Sequence, residues 1–582
     1  MNIRPLAFGC LIVGTILTGS VFASMNEARD PEAATGINQK TVVTSHNYMV
    51  SAANPYAVEA GYRVLKEGGS AVDAAIAVQM VLTLVEPQSS GIGGGAFMLH
   101  WDAGKNKITS WDGRETAPAA ATGDLFVGDD GKLMSWWDAL AGGRSVGAPG
   151  VIAALYMAHQ QQGKLPWNSL FKEAIELSEK GFIVSERLHQ LIAKKTNPSL
   201  GHYAAANEYF FPGGKPLETG SLRKNPDLAN TFKLIAEKGP KAFYEGAIAK
   251  DIVSAVQGAK DNPGLLTETD LKAYQAKERI PVCAPYRQYT VCGMEPPTSG
   301  GITVLQILSL LEPFKVHTLA PMSQEFVHLF TQATRLAFAD RDLYIADSDF
   351  VDVPVNALLD QQYLQQRSKL IDGTKDMGSA KAGNLPGALA FSEGDTLAQP
   401  STSHISIVDA QGNAVSMTTS IEMAFGSTLM VRGFLLNNQL TDFSFQKEKA
   451  GKPVANRVEG KKRPRSSMAP MMVFDERNKL KVVLGSPGGS RIINYVAKAL
   501  IGVLDWNLNI QKAIDLPNIS NRNGDTDLEL GTEATSLKTA LEAKGHTVKV
   551  RELNSGLHGI VITEGGLQGG ADSRREGIVL GE

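Results

Sequence analysis

Cysteine is scarce in this chain, and the sequence patterns that hold metal ions are missing. Three cysteines occur among 582 residues, and there is no Cys-x-x-Cys pair, no His-Glu-x-x-His motif and no dense cluster of histidine and aspartate. Such motifs form most zinc sites in proteins. We therefore expect no metal ion and no other cofactor.

The chain also has little net charge. Its 57 basic and 60 acidic side chains give a formal net charge of −3, which does not favour nucleic acid as a partner. Hydrophobic residues make up 43% and charged residues 20% of the sequence, the composition of a soluble globular protein. This length allows several ordinary domains or one large unit with a substantial core.

The first 23 residues have the features of an export signal. Residues 1–4 carry one positive charge, residues 5–20 are apolar and small, and Val21-Phe22-Ala23 suits a signal peptidase. The alternative is a single membrane anchor, which the glycines spaced along the apolar run disfavour. We expect residues 1–23 to be a signal peptide and the protein to be exported, either periplasmic or secreted.

Cys283 and Cys292 lie in two short strand-like runs on either side of a turn. Across a hairpin they could form a disulfide, which an oxidising compartment would allow. The alternative is a pair of free structural thiols.

Residue patterns predict a mixture of helices and strands. Helical patterns cover residues 54–67, 71–85, most of 147–263, 300–311 and 323–346. Residues 373–401 have no pattern, which predicts a flexible segment. Short strands then follow at 403–408, 414–420, 429–436, 471–474 and 480–484, with helices at about 490–504 and 534–544. This combination predicts an α+β fold.

A hairpin is predicted directly after Thr402. Two isoleucines alternate with polar residues in 403–408, so we expect this strand to be buried on one face only. Matching its apolar face with that of 414–420 places Thr402 opposite Ser420, and Glu422 follows two residues further on. The hairpin therefore brings two hydroxyl groups and a carboxylate to one end of a sheet.

A threonine hydroxyl needs a base before it can act as a nucleophile. The α-amine of an N-terminal threonine can be that base, because its pKa of about 7.7–8.0 is close to neutral. Thr402 would gain such an amine if the chain were cut between Ser401 and Thr402. Taken alone, a hairpin rich in serine and threonine is more often only structural.

The predicted hairpin begins with a motif, Thr402-Ser-His-Ile-Ser-Ile-Val-Asp409. Further motifs occur along the chain. They lie at 86–98, 112–118, 239–246, 296–301, 436–444, 463–468 and 485–490. In kind and order these motifs resemble the γ-glutamyltranspeptidases, also called glutathione hydrolases. The resemblance implies the N-terminal-nucleophile hydrolase fold, a four-layer αββα sandwich. Residues 24–401 would form a large subunit and residues 402–582 a small subunit, cut from one precursor and tightly associated.

The resemblance also implies which groups carry the chemistry. Thr402 would be the nucleophile and, through its freed amine, the general base. The backbone N–H groups of Gly488 and Gly489 would stabilise the oxyanion of an acyl transfer. Without the resemblance, these two glycines would predict only a tight turn between a strand and a helix.

Five further residues match the family's binding site for a substrate amino acid. Arg114, Ser466 and Ser467 would hold the α-carboxylate, and a guanidinium can do so with two hydrogen bonds. Asp442 would receive the α-amino group, and Gln439 would assist at the same end. Without the resemblance, Arg114 would predict only an ordinary ion pair.

Two positions depart from the family pattern. Ser420 stands where many members carry a second threonine that bonds to the nucleophile, and serine retains the hydroxyl. Glu422 stands where many members carry an asparagine that contacts the substrate. A carboxylate at this position could bind the α-ammonium group, or it could shift the preference toward a different acyl group.

Three functional hypotheses follow. The first is a self-cleaving γ-glutamyltransferase and glutathione hydrolase, whose donors are glutathione or other γ-glutamyl compounds and whose acceptors are water, amino acids or dipeptides. The second is a related acylase that acts on a glutaryl or cephalosporin-type amide. The third is a non-catalytic exported binding protein of the same fold.

Overall fold

The structure of the protein is a computed structural model that describes residue 35 and residues 37–385, 391–394 and 401–582. The predicted signal peptide at 1–23 lies outside these residues, as do parts of the predicted flexible segment at 373–401. Within the described part of that segment, residues 373–385 contain neither helix nor strand.

Two seven-stranded antiparallel sheets form the centre of the molecule. The first sheet has the strand order Ile578–Gly581, Met49–Ala52, Ser403–Val408, Ala414–Ser420, Gly95–Asp102, Lys107–Gly113 and Lys277–Arg279. The second sheet has the order Val43–Ser45, Gly566–Ala571, His558–Thr563, Leu480–Gly485, Met471–Phe474, Tyr289–Gly293 and Val282–Tyr286. Each sheet contains strands from both sides of the 401–402 junction.

Helices cover the outer face of each sheet. Those on the first sheet are Pro55–Lys66, Ala71–Val85 and Val151–Gln162. The helical layer next to the second sheet consists of Gly300–Leu311, Gln324–Tyr344, Ile492–Leu504 and Ile510–Asp515. The predicted four-layer αββα sandwich is confirmed.

Smaller elements surround the sandwich. The other helices are Trp136–Leu140, Lys172–Lys180, Glu186–Ala193, Ala204–Phe210, Pro226–Lys238, Lys241–Tyr244, Ala247–Gln257, Glu268–Ala273, Val355–Leu358, Gln361–Ser368 and Lys538–Ala543. A three-stranded sheet consists of Ile519–Asn521, Thr526–Glu529 and Val548–Arg551. Short strand pairs are Phe182–Ile183 with Leu222–Arg223, Met430–Val431 with Phe434–Leu435, and Glu448–Lys449 with Lys452–Pro453.

Local side-chain chemistry explains where the first two helices begin. The Asn54 side chain accepts a hydrogen bond from the Tyr56 N–H, and Pro55 occupies the first helical position, where its missing N–H costs nothing. Ser70 and Asp73 form the predicted capping box at the start of the second helix. Every residue of this second helix is buried, because the first sheet and other helices surround it.

The predicted hairpin has the predicted register, but its predicted burial is wrong. Ile405 pairs with Met417 and Ile407 with Val415, and these apolar side chains join the core under the helices of the first sheet. The polar face is buried too, since the second sheet packs against it and His404 has no exposed surface. Alternation identifies a polar face correctly, but it does not reveal that another sheet covers that face.

The two cysteines of the predicted hairpin lie opposite each other in the second sheet. Cys283 pairs with Cys292 across strands Val282–Tyr286 and Tyr289–Gly293, and their sulfur atoms are bonded. Among the described residues, the helices are all too short or too polar to cross a membrane.

Candidate active site

Thr402 lies immediately before strand Ser403–Val408, in the interior of the first sheet. Ser403 pairs with Thr419, so Thr402 comes opposite Ser420, and the Oγ atoms of Thr402 and Ser420 are 3.3 Å apart. Only 2% of the surface of Thr402 is exposed. The sheet therefore fixes this pair of hydroxyl groups through its register.

Several contacts hold the peptide group between Ser401 and Thr402. Thr402 Oγ1 contacts the carbonyl oxygen of Ser401, the residue before it. The Ser420 hydroxyl donates to the same carbonyl oxygen at 3.1 Å. Ser401 Oγ donates to the carbonyl oxygen of Gln88 at 2.5 Å. A nucleophile and a hydrogen-bond donor thus meet at one peptide carbonyl.

Glu422 lies in a strained loop that follows Ser420. Its φ of +80° is in the left-handed region, which a residue with a long side chain rarely adopts. Its backbone N–H donates to Ser420 Oγ at 2.8 Å, and its Oε2 accepts from Gln439 Nε2 at 3.3 Å. The loop therefore fixes the Glu422 backbone against Ser420 and its carboxylate against Gln439.

Arg114 and Asp442 form a buried ion pair. Arg114 Nη2 lies 2.5 Å from Asp442 Oδ2, and Arg114 Nε donates to the carbonyl oxygen of Pro464 at 3.0 Å. Although burial alone would lower the pKa of Arg114, the Asp442 carboxylate outweighs it and holds that pKa above its ordinary value. Burial raises the pKa of the neighbouring Glu115 carboxyl to about 8, so Glu115 is protonated at neutral pH.

Several buried polar atoms in this region lack a hydrogen-bond partner among the described residues. They are Arg114 Nη1, Asp442 Oδ1 and Gln439 Oε1. Buried polar atoms are nearly always hydrogen-bonded, so each exception calls for an explanation. A donor on Arg114 and an acceptor on Asp442 are what an amino acid's carboxylate and ammonium groups would need.

Ser466 and Ser467 approach from the segment that follows Arg463. The Ser466 backbone is fixed by hydrogen bonds with Pro297 and Ser299. Ser467 Oγ accepts from Arg341 Nη2 at 2.7 Å, so its own hydroxyl hydrogen remains available to a ligand. Arg341 was not identified from the sequence, because it lies within helix Gln324–Tyr344 and outside every motif noted above.

Gly488 and Gly489 form a turn that only glycine fits well. Their φ angles are +136° and +58°, and a Cβ on Gly488 would come within 2.7 Å of the Tyr495 ring. Within the part of the chain that the structure describes, neither amide N–H has an acceptor. Two such N–H groups can stabilise a negatively charged oxygen.

Most of the predicted site residues line one small pocket. Its walls are Thr402, Ser420, Glu422, Gln439, Asp442, Ser466, Ser467, Met468, Gly489 and Ile492. Arg114 lies behind Asp442, and Gly488 precedes Gly489 in the turn. The cavity has a volume of about 10 Å³, which is about the room one water molecule needs.

One serine outside the pocket matches a hydrolase motif. Gly143-Arg-Ser-Val-Gly147 has the Gly-x-Ser-x-Gly pattern of serine hydrolases. Ser145 is fully buried, and its hydroxyl donates to the carbonyl oxygen of Leu140 at 2.6 Å. It also does not lie between a strand and a helix, so it has a structural role.

Comparisons with known proteins show which family this chain resembles. A model of the gamma-glutamyltranspeptidase family matches residues 57–582. The glutathione hydrolase proenzyme of Escherichia coli is 35% identical over 98% of this chain and 98% of its own length. The acylase ACY 1 proenzyme of Pseudomonas sp. strain SE83 is 32% identical over 94% of this chain and 96% of its own length.

A solved structure shares nearly the whole fold. The cephalosporin acylase from Bacillus halodurans superposes with a TM-score of 0.82 at 26% identity, covering 95% of this chain and 99% of that one. Together with the family model and the full-length relatives, this likeness shows that the chain belongs to the γ-glutamyltranspeptidase family.

Proposed function

We propose that this chain cuts itself between Ser401 and Thr402 and that the freed Thr402 then transfers γ-glutamyl groups. The donor is glutathione or another γ-glutamyl amide, and the acceptor is water, an amino acid or a short peptide. The observation that carries the proposal is the contact of Thr402 Oγ1 with the Ser401 carbonyl, to which Ser420 also donates.

Self-cleavage follows from that contact. Thr402 Oγ1 attacks the carbonyl carbon of Ser401, the C–N bond breaks, and an ester links Ser401 to the Thr402 oxygen. The hydroxyl proton passes to the departing nitrogen, which becomes the new α-amine. Ser420 stabilises the negative charge that develops on the carbonyl oxygen. Water then hydrolyses the ester and leaves a carboxylate on Ser401.

The mature enzyme reuses the same groups on a substrate. The α-amine of Thr402 takes the hydroxyl proton while Oγ1 attacks the γ-carbonyl carbon, and the N–H groups of Gly488 and Gly489 stabilise the oxyanion. The amine then gives the proton to the departing nitrogen. Water or an acceptor amine resolves the acyl ester by the reverse sequence.

The small size of the pocket indicates that the site has to widen before it can bind a substrate. A cavity of about 10 Å³ cannot hold a glutamyl group. After the cut, the unsatisfied atoms of Arg114 and Asp442 bind the charged groups of a substrate amino acid. Ser467, which accepts from Arg341, donates to the same α-carboxylate.

Glu422 favours a γ-glutamyl substrate over a glutaryl one. Arg114 is paired with Asp442, and the carboxylate of Glu422, which accepts from Gln439, acts on the same guanidinium. A γ-glutamyl group brings a carboxylate and an ammonium, and its ammonium pairs with the carboxylates of Asp442 and Glu422. A glutaryl group brings only a carboxylate, so it adds a negative charge to the site without an ammonium for these two side chains.

The acylase relatives support a second candidate function, that of an acylase. A protein named acylase is 32% identical to this chain over most of both lengths, and the structural relative above is a cephalosporin acylase. Turnover of a γ-glutamyl anilide compared with that of the matching glutaryl anilide separates the two. We expect a kcat/KM ratio of at least about 100 in favour of the γ-glutamyl compound. A ratio below one would establish the acylase.

We further propose that the protein is exported and that its two subunits remain associated after the cut. Strand Ser403–Val408 is hydrogen-bonded to Met49–Ala52, and Ala414–Ser420 is hydrogen-bonded to Gly95–Asp102. Separating residues 24–401 from 402–582 would break both sheets. We expect the two fragments to co-elute under native conditions and to separate only in denaturant.

A further inference from the structure

Arg341 supports both serines of the expected carboxylate site. Its Nη2 donates to Ser467 Oγ at 2.7 Å, and its Nε donates to Ser299 Oγ at 2.9 Å. The Ser299 hydroxyl in turn donates to the carbonyl oxygen of Ser466 at 2.7 Å. One guanidinium therefore holds Ser467 directly and Ser466 through Ser299.

The surroundings of Arg341 fix the direction of its donors. Arg341 exposes only 3% of its surface, and Ser299 is fully buried. Arg341 Nη1 lies 2.5 Å from Asp342 Oδ1, and Arg465 Nη2 lies 3.1 Å from the same oxygen. A guanidinium presents its N–H groups in a rigid planar fork, so this packing also sets the directions of the two N–H groups that reach the serines.

A hydrogen bond from Arg341 favours one role for each hydroxyl group. Ser299 accepts from Arg341 and directs its own hydrogen to the Ser466 carbonyl oxygen. Ser467 accepts from the same guanidinium, and among the described residues nothing accepts its hydrogen. Because hydrogen bonds in a chain polarise one another, a hydroxyl that accepts from a cationic group donates more strongly and accepts a second hydrogen less readily.

The end of the pocket that would receive a carboxylate is rich in donors. Ser467 and Ser466 both line the pocket. Ser466 Oγ accepts from the Met468 N–H at 3.1 Å, which leaves its hydroxyl hydrogen for a ligand. Arg114 Nη1 is a third donor, and it lacks a partner among the described residues.

We propose that Arg341 is a positioning residue that keeps Ser467 a hydrogen-bond donor, so that the site selects an ionised carboxylate over a carboxamide. This inference rests on the proposed function. A carboxylate offers only acceptors, which suit Arg114 and both serines. A carboxamide in the same place turns its NH2 group toward one of these donors and leaves a buried donor without an acceptor.

The test uses the mature protein and two substrates that differ in one group. They are a γ-glutamyl anilide with a free α-carboxylate and the same compound with an α-carboxamide. The measured quantity is the carboxylate-to-carboxamide ratio of kcat/KM, together with kcat and KM for the carboxylate compound. Arg341→Met removes the donors, Arg341→Lys keeps a cationic donor, and Ser467→Ala removes the hydroxyl through which Arg341 acts.

Arg367 provides a matched control for the loss of a buried arginine. It lies in helix Gln361–Ser368, pairs with Asp340 at 3.2 Å and donates to the carbonyl oxygen of Lys381 at 2.9 Å. It is not among the residues that line the pocket. Arg367→Met should therefore destabilise the protein and leave the ratio unchanged.

We expect Ser467→Ala to lower the ratio about tenfold, because it removes a hydrogen bond to a charged group. Arg341→Met should lower it about fivefold, since the hydroxyl remains but is no longer oriented. The loss should appear as a higher KM for the carboxylate compound, with kcat changed by less than about twofold, because the α-carboxylate is remote from the reacting carbonyl. Arg341→Lys should lie between wild type and Arg341→Met.

A double variant tests whether Arg341 acts through Ser467. Adding Arg341→Met to Ser467→Ala should change the ratio by less than about twofold, because the two residues act through one contact. A further fivefold loss would overturn the proposal, as would an equal loss in Arg367→Met. An unchanged ratio in Ser467→Ala or in Arg341→Met would also overturn it. Should Arg341→Met not fold, a ratio for Arg341→Lys no higher than that for Ser467→Ala would overturn it.

The glutaryl anilide separates this inference from the proposed function. A wild-type chain that turns over the glutaryl but not the γ-glutamyl compound refutes the proposed function. The ratio is then measured with the glutaryl anilide and its terminal carboxamide, and the same variants decide the role of Arg341. A wild-type chain that turns over neither anilide overturns both proposals.

Discussion

Thr402 Oγ1 and Ser420 Oγ lie 3.3 Å apart, and both contact the carbonyl oxygen of Ser401. Strand pairing produces this arrangement, because Ser403 is fixed opposite Thr419. The same two hydroxyl groups can therefore act first on the chain's own peptide bond and later on a substrate.

Replacing Ser420 should slow self-cleavage. Ser420→Ala removes the donor to the Ser401 carbonyl oxygen, and loss of one such donor costs roughly a hundredfold or more in rate. Ser420→Thr keeps the hydroxyl and should cleave at a rate near that of wild type. The fraction of cut chain against time on a denaturing gel measures both. Equal cleavage rates for the alanine and threonine variants would show that the Ser420 hydroxyl does not take part in self-cleavage.

Replacing Glu422 should weaken the selectivity for an ammonium group. Glu422→Gln keeps the shape and can still contact Gln439 but removes one carboxylate. We expect kcat/KM for a γ-glutamyl anilide to fall about tenfold, with no loss for the glutaryl analogue. Glu422→Asp, which keeps the charge, is the control. An unchanged ratio between the two substrates would show that Glu422 does not contact the ammonium.

The raised pKa of the Glu115 carboxyl should lower the free energy of unfolding as the pH rises. Its carboxyl keeps its proton up to about pH 8 in the folded state, whereas an unfolded glutamate loses it near pH 4.3. The folded state therefore binds more protons between these values, and its stability falls through this window.

Glu115→Gln cannot titrate, so its free energy of unfolding should fall less between pH 5 and pH 8. Glu237→Gln, on the exposed surface, is the control. Denaturant unfolding at the two pH values measures the difference. Parallel declines in wild type and Glu115→Gln would contradict the assignment.

Asn197 should support substrate binding from a distance. Its buried Nδ2 donates to the carbonyl oxygens of Ala424 at 2.9 Å and Gly426 at 3.2 Å, in the loop that carries Glu422. Asn197→Ala should destabilise the protein by about 1–3 kcal/mol and raise KM more than it lowers kcat. Asn207→Ala, at an exposed position nearby, should change neither. A loss confined to kcat would count against a role in holding this loop.

Local patterns predicted the hairpin around the site well. Apolar alternation alone placed Ile405 opposite Met417, and this register sets the distance between Thr402 and Ser420. It did not predict that the second sheet covers the polar face of the hairpin, because that depends on strands far away in the chain. The buried His404 is the clearest example.

Local sequence patterns could not predict contacts between segments that are far apart in the chain. Arg114 and Asp442 are 328 residues apart, and only the family resemblance connected them. Arg575 and Thr402 are 173 residues apart, and nothing in composition or periodicity pointed to their contact. Both contacts depend on the tertiary fold, which brings segments together that are far apart in the sequence.

The measurement that tests the central claim most directly is N-terminal sequencing of purified, active protein after denaturing electrophoresis. We predict two fragments, the smaller beginning at Thr402, and a single uncut chain without activity for Thr402→Ala. A continuous chain across residues 401–402 with full γ-glutamyl turnover would contradict the account.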